Sequence, residues 1–313
     1  MDRTDATDDA DINRVGVVAG VTAYSLWGLF PLVFRQLESV PSFEIVLHRV
    51  VWSLAVVAAV LFVQRDWGAM RRVRDRPGAF WRLAVAGALV AGNWLVYIWA
   101  VNHDHVIEAA LGYYVNPLIT VALGVVVLGE SLRRAQLVAL GFGAAAVVVL
   151  TVAYGRVPWI ALVLALTFAA YGFLKKAVPV GAVASLAVET AVLFPVALAG
   201  LVVLQVQGTA AFGNGSGGRD LLIAALGVIT AGPLLLFATA ATRIPLSLLG
   251  LLQYLTPTLQ LLCGLIVFSE PMPPERLAGF VLVWIALIVL GTDAARALRQ
   301  RAANRDIAAP EPL

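Results

Sequence analysis

Two ionisable residues lie where a bilayer makes charge expensive. Arg49 and Glu189 fall inside the long apolar runs EIVLHRVVWSLAVVAAVLFV and GAVASLAVETAVLFPVALAG. A charge at the centre of a membrane helix costs about 2.5–3.5 kcal/mol on insertion scales, so such residues face a cavity or a partner. The chemistry open to them is mutual charge pairing, binding of a charged solute, or proton handling by the carboxyl. At 1.5 Å rise per residue, Arg49 lies ~8 Å inside one edge of a ~30 Å core and Glu189 ~13 Å inside the other. Their depths then differ by roughly 9 Å, which an extended arginine can reach if the two faces converge. The plainer alternative is a buried pair that only locks two helices together.

Around these charges are groups suited to a small organic ligand. Asn93, Trp94, Tyr97, Trp99, Tyr113, Tyr114, Gln253, Tyr254 and Gln260 collect on three apolar runs. An apolar cavity with a few placed polar groups is what such a ligand needs. Trp67, Trp81 and Trp159 read better as anchors at the membrane interface. Asn116-Pro117 and Thr256-Pro257 sit inside two of the runs. A proline there frees a carbonyl about four residues earlier. Free backbone at membrane depth is tolerated where it lines a cavity or finds a neighbour, and the plainer reading is a packing kink. Glu44 and His48 are four apart on one helix face. With Asp104, Glu108, His103 and His105 they read as polar rim rather than as a metal site, because Arg49 beside them repels a cation. The candidate substrate-binding or coupling residues are therefore Arg49, His48, Glu189, Asn93, Tyr97, Tyr113, Tyr114, Asn116, Pro117, Gln253, Tyr254 and Pro257. No catalytic residue, metal or cofactor is expected.

The elements that must position these groups are membrane helices. The chain is 61% hydrophobic and only 13% charged, with a mean hydropathy of +0.89. Soluble chains carry about 25% charged residues. Apolar stretches of membrane-spanning length recur at about 15–34, 44–63, 80–101, 106–129, 134–153, 157–174, 180–204, 220–240, 245–268 and 275–294,. The expected fold is therefore all-α and polytopic, with ten transmembrane helices. The acidic head, 1–14, and the basic tail, 295–313, read as disordered. Gln205 to Arg219, rich in Gly, Ser and Asn, reads as a flexible loop. The lone Cys263 lies in an apolar run, as a small packing residue.

Repetition organises the chain. GYYVNPLITVALGVVVLGE (112–130) returns 140 residues later as LQYLTPTLQLLCGLIVFSE (252–270), matching Tyr114 with Tyr254, Pro117 with Pro257, Gly124 with Gly264 and Glu130 with Glu270. The same offset places Arg49 on Glu189. The repeats are 15–153 and 157–294, five spans each. An odd number of spans forces the copies to insert with opposite orientation, a recurring plan of secondary transporters. Arginine and lysine concentrate in the even-numbered loops (Arg65, Arg71, Arg72, Arg74, Arg76, Arg133, Arg134, Lys175, Lys176, Arg243) and the tail. Both termini are then expected in the cytoplasm. Glu130 and Glu270 end their helices at opposite faces. A carboxylate is unfavourable at a helix C-terminus, so each should cap the following helix or pair with a base such as Arg133 or Arg134. Spans three, four, eight and nine are expected to line a central cavity, completed by one, two, six and seven, with five and ten as scaffold.

LWGLFPL (26–32), EIVLHRVVWS (44–53), NWLVYIWAVNHDHVIEAALGYYVNPL (93–118), LGESLRRAQ (128–136) and GLLQYLTPTLQ (250–260) resemble the RarD branch of the EamA family, in the drug/metabolite transporter superfamily. The resemblance runs from about Val15 to Thr292, and the acidic head has no counterpart in it. It implies two inverted five-helix repeats, an inner-membrane location and permease activity on a small molecule; the branch is named for an association with chloramphenicol sensitivity. The expected partners are the lipid bilayer and a small-molecule substrate, with no nucleic acid. The expected function is secondary transport of a small organic metabolite or drug by alternating access, with Glu189 as the candidate for proton coupling. The rivals are a non-transporting receptor or assembly factor and an intramembrane enzyme. The enzyme lacks support in the sequence: no HExxH, facing aspartates or phosphate-cradling glycine loop is present.

Overall fold

Inside hydrocarbon a backbone must satisfy its own hydrogen bonds, so each apolar run winds into helix. The computed structural model describes residues 3–308 apart from Asp66, Glu130 and Pro179. Among the described residues, ten helical spans are long and apolar enough to cross a membrane: Arg14–Arg35, Ser42–Gln64, Ala79–Asn102, Val106–Val127, Arg134–Tyr154, Trp159–Lys176, Ala182–Val206, Gly217–Ala241, Leu248–Val267 and Pro274–Arg296. They are numbered one to ten. The face of the bundle carrying loops one, three, five, seven and nine is the odd face, and the opposite one the even face.

Two spans are broken. Span one runs as helix from Arg3 to Gly28 and resumes as Phe30–Arg35. Pro31 has no amide to give to the Trp27 carbonyl, and Gln260 Nε2 from span nine donates to that carbonyl instead, at 3.3 Å. Span nine is assembled from Leu246–Leu252, Leu255–Leu262 and a π-helical turn, Cys263–Val267. The interruption at Gln253 and Tyr254 lies just before Pro257.

Several finer expectations are corrected. The head is helical from Arg3 and the tail as far as Ala308. Each continues a helix that already exists, so no new nucleus is needed, and the tail is rich in Ala, Arg and Leu, strong helix formers. A short helix, Trp67–Arg74, fills part of loop two. The segment between spans seven and eight is tied down rather than loose: Arg219 donates to the Ala211 carbonyl at 2.6 Å, and the Ala211 amide donates to Glu44 Oε1 at 2.7 Å.

The 140-residue repeat is visible in the helices themselves. Starts fall 140 residues apart at Ser42 and Ala182, at Val106 and Leu246, and at Arg134 and Pro274. Arg49 and Glu189 therefore occupy the same place in equivalent helices. Span two packs on seven, four on nine and five on ten. Exchanging the halves maps each of these contacts onto itself. The other strong contacts come in exchanged pairs: four with six and nine with one, three with six and eight with one, three with seven and eight with two. Spans five and ten sit mainly against each other, as scaffold helices should.

At two equivalent crossings there is little or no room for a Cβ. A Cβ at Gly87 in span three would lie 3.1 Å from the Glu189 carbonyl oxygen in span seven, and one at Gly227 in span eight would overlap the Trp52 carbonyl of span two. Gly92 and Gly232, also 140 apart and in the same two helices, face open space. Gly227→Val should therefore cost about 1–3 kcal/mol by overpacking, seen as a lower Tm of the purified protein in detergent. Gly232→Val should stay near wild type, and an equal loss in both would break the argument.

Candidate functional site

Arg49 lies about two turns into span two and is only 4% exposed. Its Nε donates to Thr230 Oγ1 of span eight at 2.8 Å. The guanidinium stacks over Trp94 of span three at 4.0 Å and lies 5.5 Å from the rings of both Phe30 and Phe34 in span one. Phe34 meets the Tyr97 ring at 6.0 Å, and Tyr97 meets Tyr113 at 5.7 Å. Spans one and three thus wall one cation with aromatic faces, each a weak electrostatic partner, and span eight adds a hydroxyl,. Among the described residues no carboxylate pairs with it.

Glu189 is also buried, but its surroundings differ. Lys175 Nζ of span six is 3.1 Å from Glu189 Oε1. Ser185 donates to that oxygen at 2.6 Å, and the Tyr171 hydroxyl to Oε2 at 3.3 Å. Lys175 in turn donates to the Tyr171 hydroxyl at 3.0 Å. Of the arrangements left open for the two charges, mutual pairing is not the one formed. Each sits about two turns from its own end of the bundle, and nearer groups claim both. Ser185, one turn before Glu189, could have been found from its i, i+4 spacing. Lys175 was concealed by its role in the charge asymmetry, and Thr230 had no signal beyond the Gly232-Pro233 that follows it.

The remaining candidates divide. Asn93 is fully used: Nδ2 donates to the Leu164 carbonyl at 3.0 Å and to Thr167 Oγ1 at 2.9 Å, and the Tyr113 hydroxyl donates to Oδ1 at 3.1 Å. It binds spans three, four and six together. Tyr97 is 3% exposed, and its hydroxyl has no partner among the described residues. Tyr114 turns away from Arg49, toward spans nine and ten: its hydroxyl meets Thr258 at 2.7 Å and its ring packs edge-on to Phe280 and Trp284. Tyr254 and Gln253 lie half-buried at the break in span nine. Span four stays helical through Pro117, and the Asn116 carbonyl accepts from Thr120 at 2.9 Å. The two prolines at equivalent positions therefore act differently, because only span nine yields.

At the odd face, buried carboxylates clamp backbone amides. Glu270 accepts from Val106 N at 2.6 Å and Ile107 N at 3.0 Å, the first residues of span four. This corrects the expectation that it caps the following helix. Span ten opens with Pro273-Pro274, which have no amides to cap, so the carboxylate reaches into the other half. Burial raises the Glu270 carboxyl above the ordinary range, against the two amides, Arg276 and His105, which pull it down. Glu108 accepts from Ile160 N at 3.2 Å near the start of span six and pairs with Arg156 at 2.8 Å. Glu44 holds Ala211 and Phe212, and its Oε1 lies 3.8 Å from His48 Nε2. His48 packs on Phe212 at 4.9 Å. Both belong to this clamp rather than to the Arg49 cluster. Helix N-termini present unpaired amides and a positive dipole, so Glu270 and Glu108 are well placed, while Glu44 answers two amides of the loop before span eight,. At the even face Arg133 pairs with Asp293 at 2.8 Å; Glu130, its expected partner, lies outside the described residues.

Ten apolar spans in two inverted five-helix halves, with buried polar groups between them, are the architecture of a membrane transporter of the drug/metabolite transporter fold. The EamA-like transporter family matches residues 14–152. Protein RarD of Streptomyces exfoliatus is 50% identical over 300 residues, covering 96% of this chain and 95% of its own. An uncharacterized transporter of Pseudomonas aeruginosa is 44% identical over 287 residues, 92% and 96% of the two chains. Protein RarD of Escherichia coli is 38% identical over 286 residues, 91% and 97%. A solved crystal structure, 23% identical, superposes with a TM-score of 0.55 over 90% of this chain and 98% of its own, and shows the shared fold alone. The chain belongs to the EamA family, in its RarD branch.

The clamps yield a direct expectation. Glu270→Gln keeps the size of the side chain but removes its charge and one acceptor. It should cost about 1–2 kcal/mol at the capped helix start, read as a lower Tm in detergent. Glu275→Gln, at an exposed position in the first turn of span ten, is the control and should cost less, about 0.3–1 kcal/mol from the lost dipole interaction alone.

Proposed function

We propose that the protein is a secondary transporter that moves a small organic metabolite or drug-like solute across the inner membrane by alternating access, and is not an enzyme. The observation that carries this reading is the unequal state of two equivalent halves. Arg49 and Glu189 share one register, yet one is walled by rings and the other is neutralised by Lys175. Span nine is broken where span four is continuous. Two copies of one plan held in different conformations can exchange them, and the exchange moves access from one face to the other. The clamped odd face fits a state closed on that side. The spread of arginine and lysine supports a cytoplasmic even face, with both termini on it.

Glu189 is the candidate coupling group. It is the buried carboxyl on the even side, and protonation would release Lys175 and the Tyr171 hydroxyl. Proteoliposomes preloaded with an extract of cellular metabolites should show counterflow of individual labelled solutes. Glu189→Gln should keep counterflow but lose its response to an imposed pH gradient. Absence of counterflow for every solute would overturn the transport reading, and an unchanged response in the variant would overturn the coupling role.

For topology, a cytoplasm-active fluorescent reporter fused after Arg305 should be bright and a periplasm-active phosphatase at the same place silent. The reverse pattern would invert the assigned faces.

A further inference from the structure

We infer that the Arg49 cluster is a binding site for a small organic monocarboxylate carrying a flat apolar body; the inference rests on the transport reading and specifies the solute. A buried guanidinium is costly unless its charge is met. Glu189, its counterpart in the other half, is met by Lys175 at 3.1 Å. Arg49 has the Thr230 hydroxyl and ring faces alone among the described residues. Exchange of the halves gives the second charge a resident counter-ion and leaves the first without one. The missing partner is an anion from outside the protein.

Two further features define it. Nε already serves Thr230, and the fork of a guanidinium matches the two oxygens of a carboxylate. The walls are Trp94, Phe30, Phe34 and Tyr97, which fit a flat apolar body better than a hydrated one. The Tyr97 hydroxyl, buried and without a partner among the described residues, is a donor spare for such a guest. One cation balances one negative charge, which favours a monocarboxylate over a phosphate dianion. Asn93 offers a carboxylate no donor, because both of its N–H groups are already given to span six,.

The test uses the purified full-length chain in detergent, reading Tm and the fluorescence of its tryptophans, Trp94 among them. The probes are benzoate and indole-3-acetate, their amides benzamide and indole-3-acetamide, and inorganic phosphate. Both acids should raise Tm and perturb the fluorescence saturably, while the amides and phosphate should not. Arg49→Gln should weaken binding of the acids at least about 30-fold, the scale of losing one partner of a buried charge pair. Arg49→Lys should retain part of it. Should Arg49→Gln fail to fold, the comparison of acid with amide on the wild type still decides. Tyr97→Phe, a change of one hydroxyl, should fold and weaken the acids. Amides binding as well as acids, phosphate competing with them, no binding by either acid, or an unaltered affinity in folded Arg49→Gln would each overturn the site. Acid binding without counterflow of any solute in proteoliposomes would leave the site standing and remove the transport reading. Counterflow of neutral solutes alone would do the reverse.

Discussion

Hydrocarbon offers no hydrogen bonds, and much of this molecule is arranged around that fact. A carbonyl released by a proline, or a charge placed inside a span, must be served by a neighbouring helix. Pro31 releases the Trp27 carbonyl and Gln260 takes it up from span nine. Thr256, close by, donates to the Tyr24 carbonyl at 2.9 Å. Spans one and nine are both broken, and two side chains of span nine serve carbonyls around the break in span one. These bonds join the halves of the molecule.

The same constraint explains the odd face. Two helix starts and a loop there expose amides at the edge of the hydrocarbon, and buried carboxylates from other spans answer them. Glu270 reaches from the end of span nine to span four, Glu108 from span four to span six, and Glu44 from span two to the loop before span eight. Each link crosses between the repeats. The odd face is therefore held by bonds that must break for the halves to part there, which sets an energetic threshold for any opening on that side.

Inverted repetition gives two sites of one design, and they have diverged in charge. On the even side Glu189, Lys175, Tyr171 and Ser185 form a closed network with both charges answered. On the odd side Arg49 has aromatic faces and one hydroxyl. Burial of a lone cation among rings is tolerable because cation–π contacts are strengthened when desolvated. Among the described residues it has no carboxylate partner.

The sequence by itself determined the number of spans, the repeat and its 140-residue register. Hydrophobic length is a local property, and matched Tyr, Pro and Gly positions are compared without coordinates. It read Glu44 and Glu108 as polar rim where the fold buries them, but found Arg49 and Glu189 as charges buried within spans, since depth follows from counting residues along a helix. What it left undecided was the partner of each. The Arg49–Glu189 pair was compatible with their depths, yet Thr230, Trp94 and Lys175 claimed them. Likewise Asn93 and Tyr114 had the chemistry of ligand contacts, but the fold spent them on holding helices together. Depth is set by one helix alone, whereas the direction a side chain faces depends on the rotation of that helix against all its neighbours. Rotation is decided by how close backbones come at crossings such as Gly87 on Glu189 and Gly227 on Trp52, and only tertiary packing fixes those.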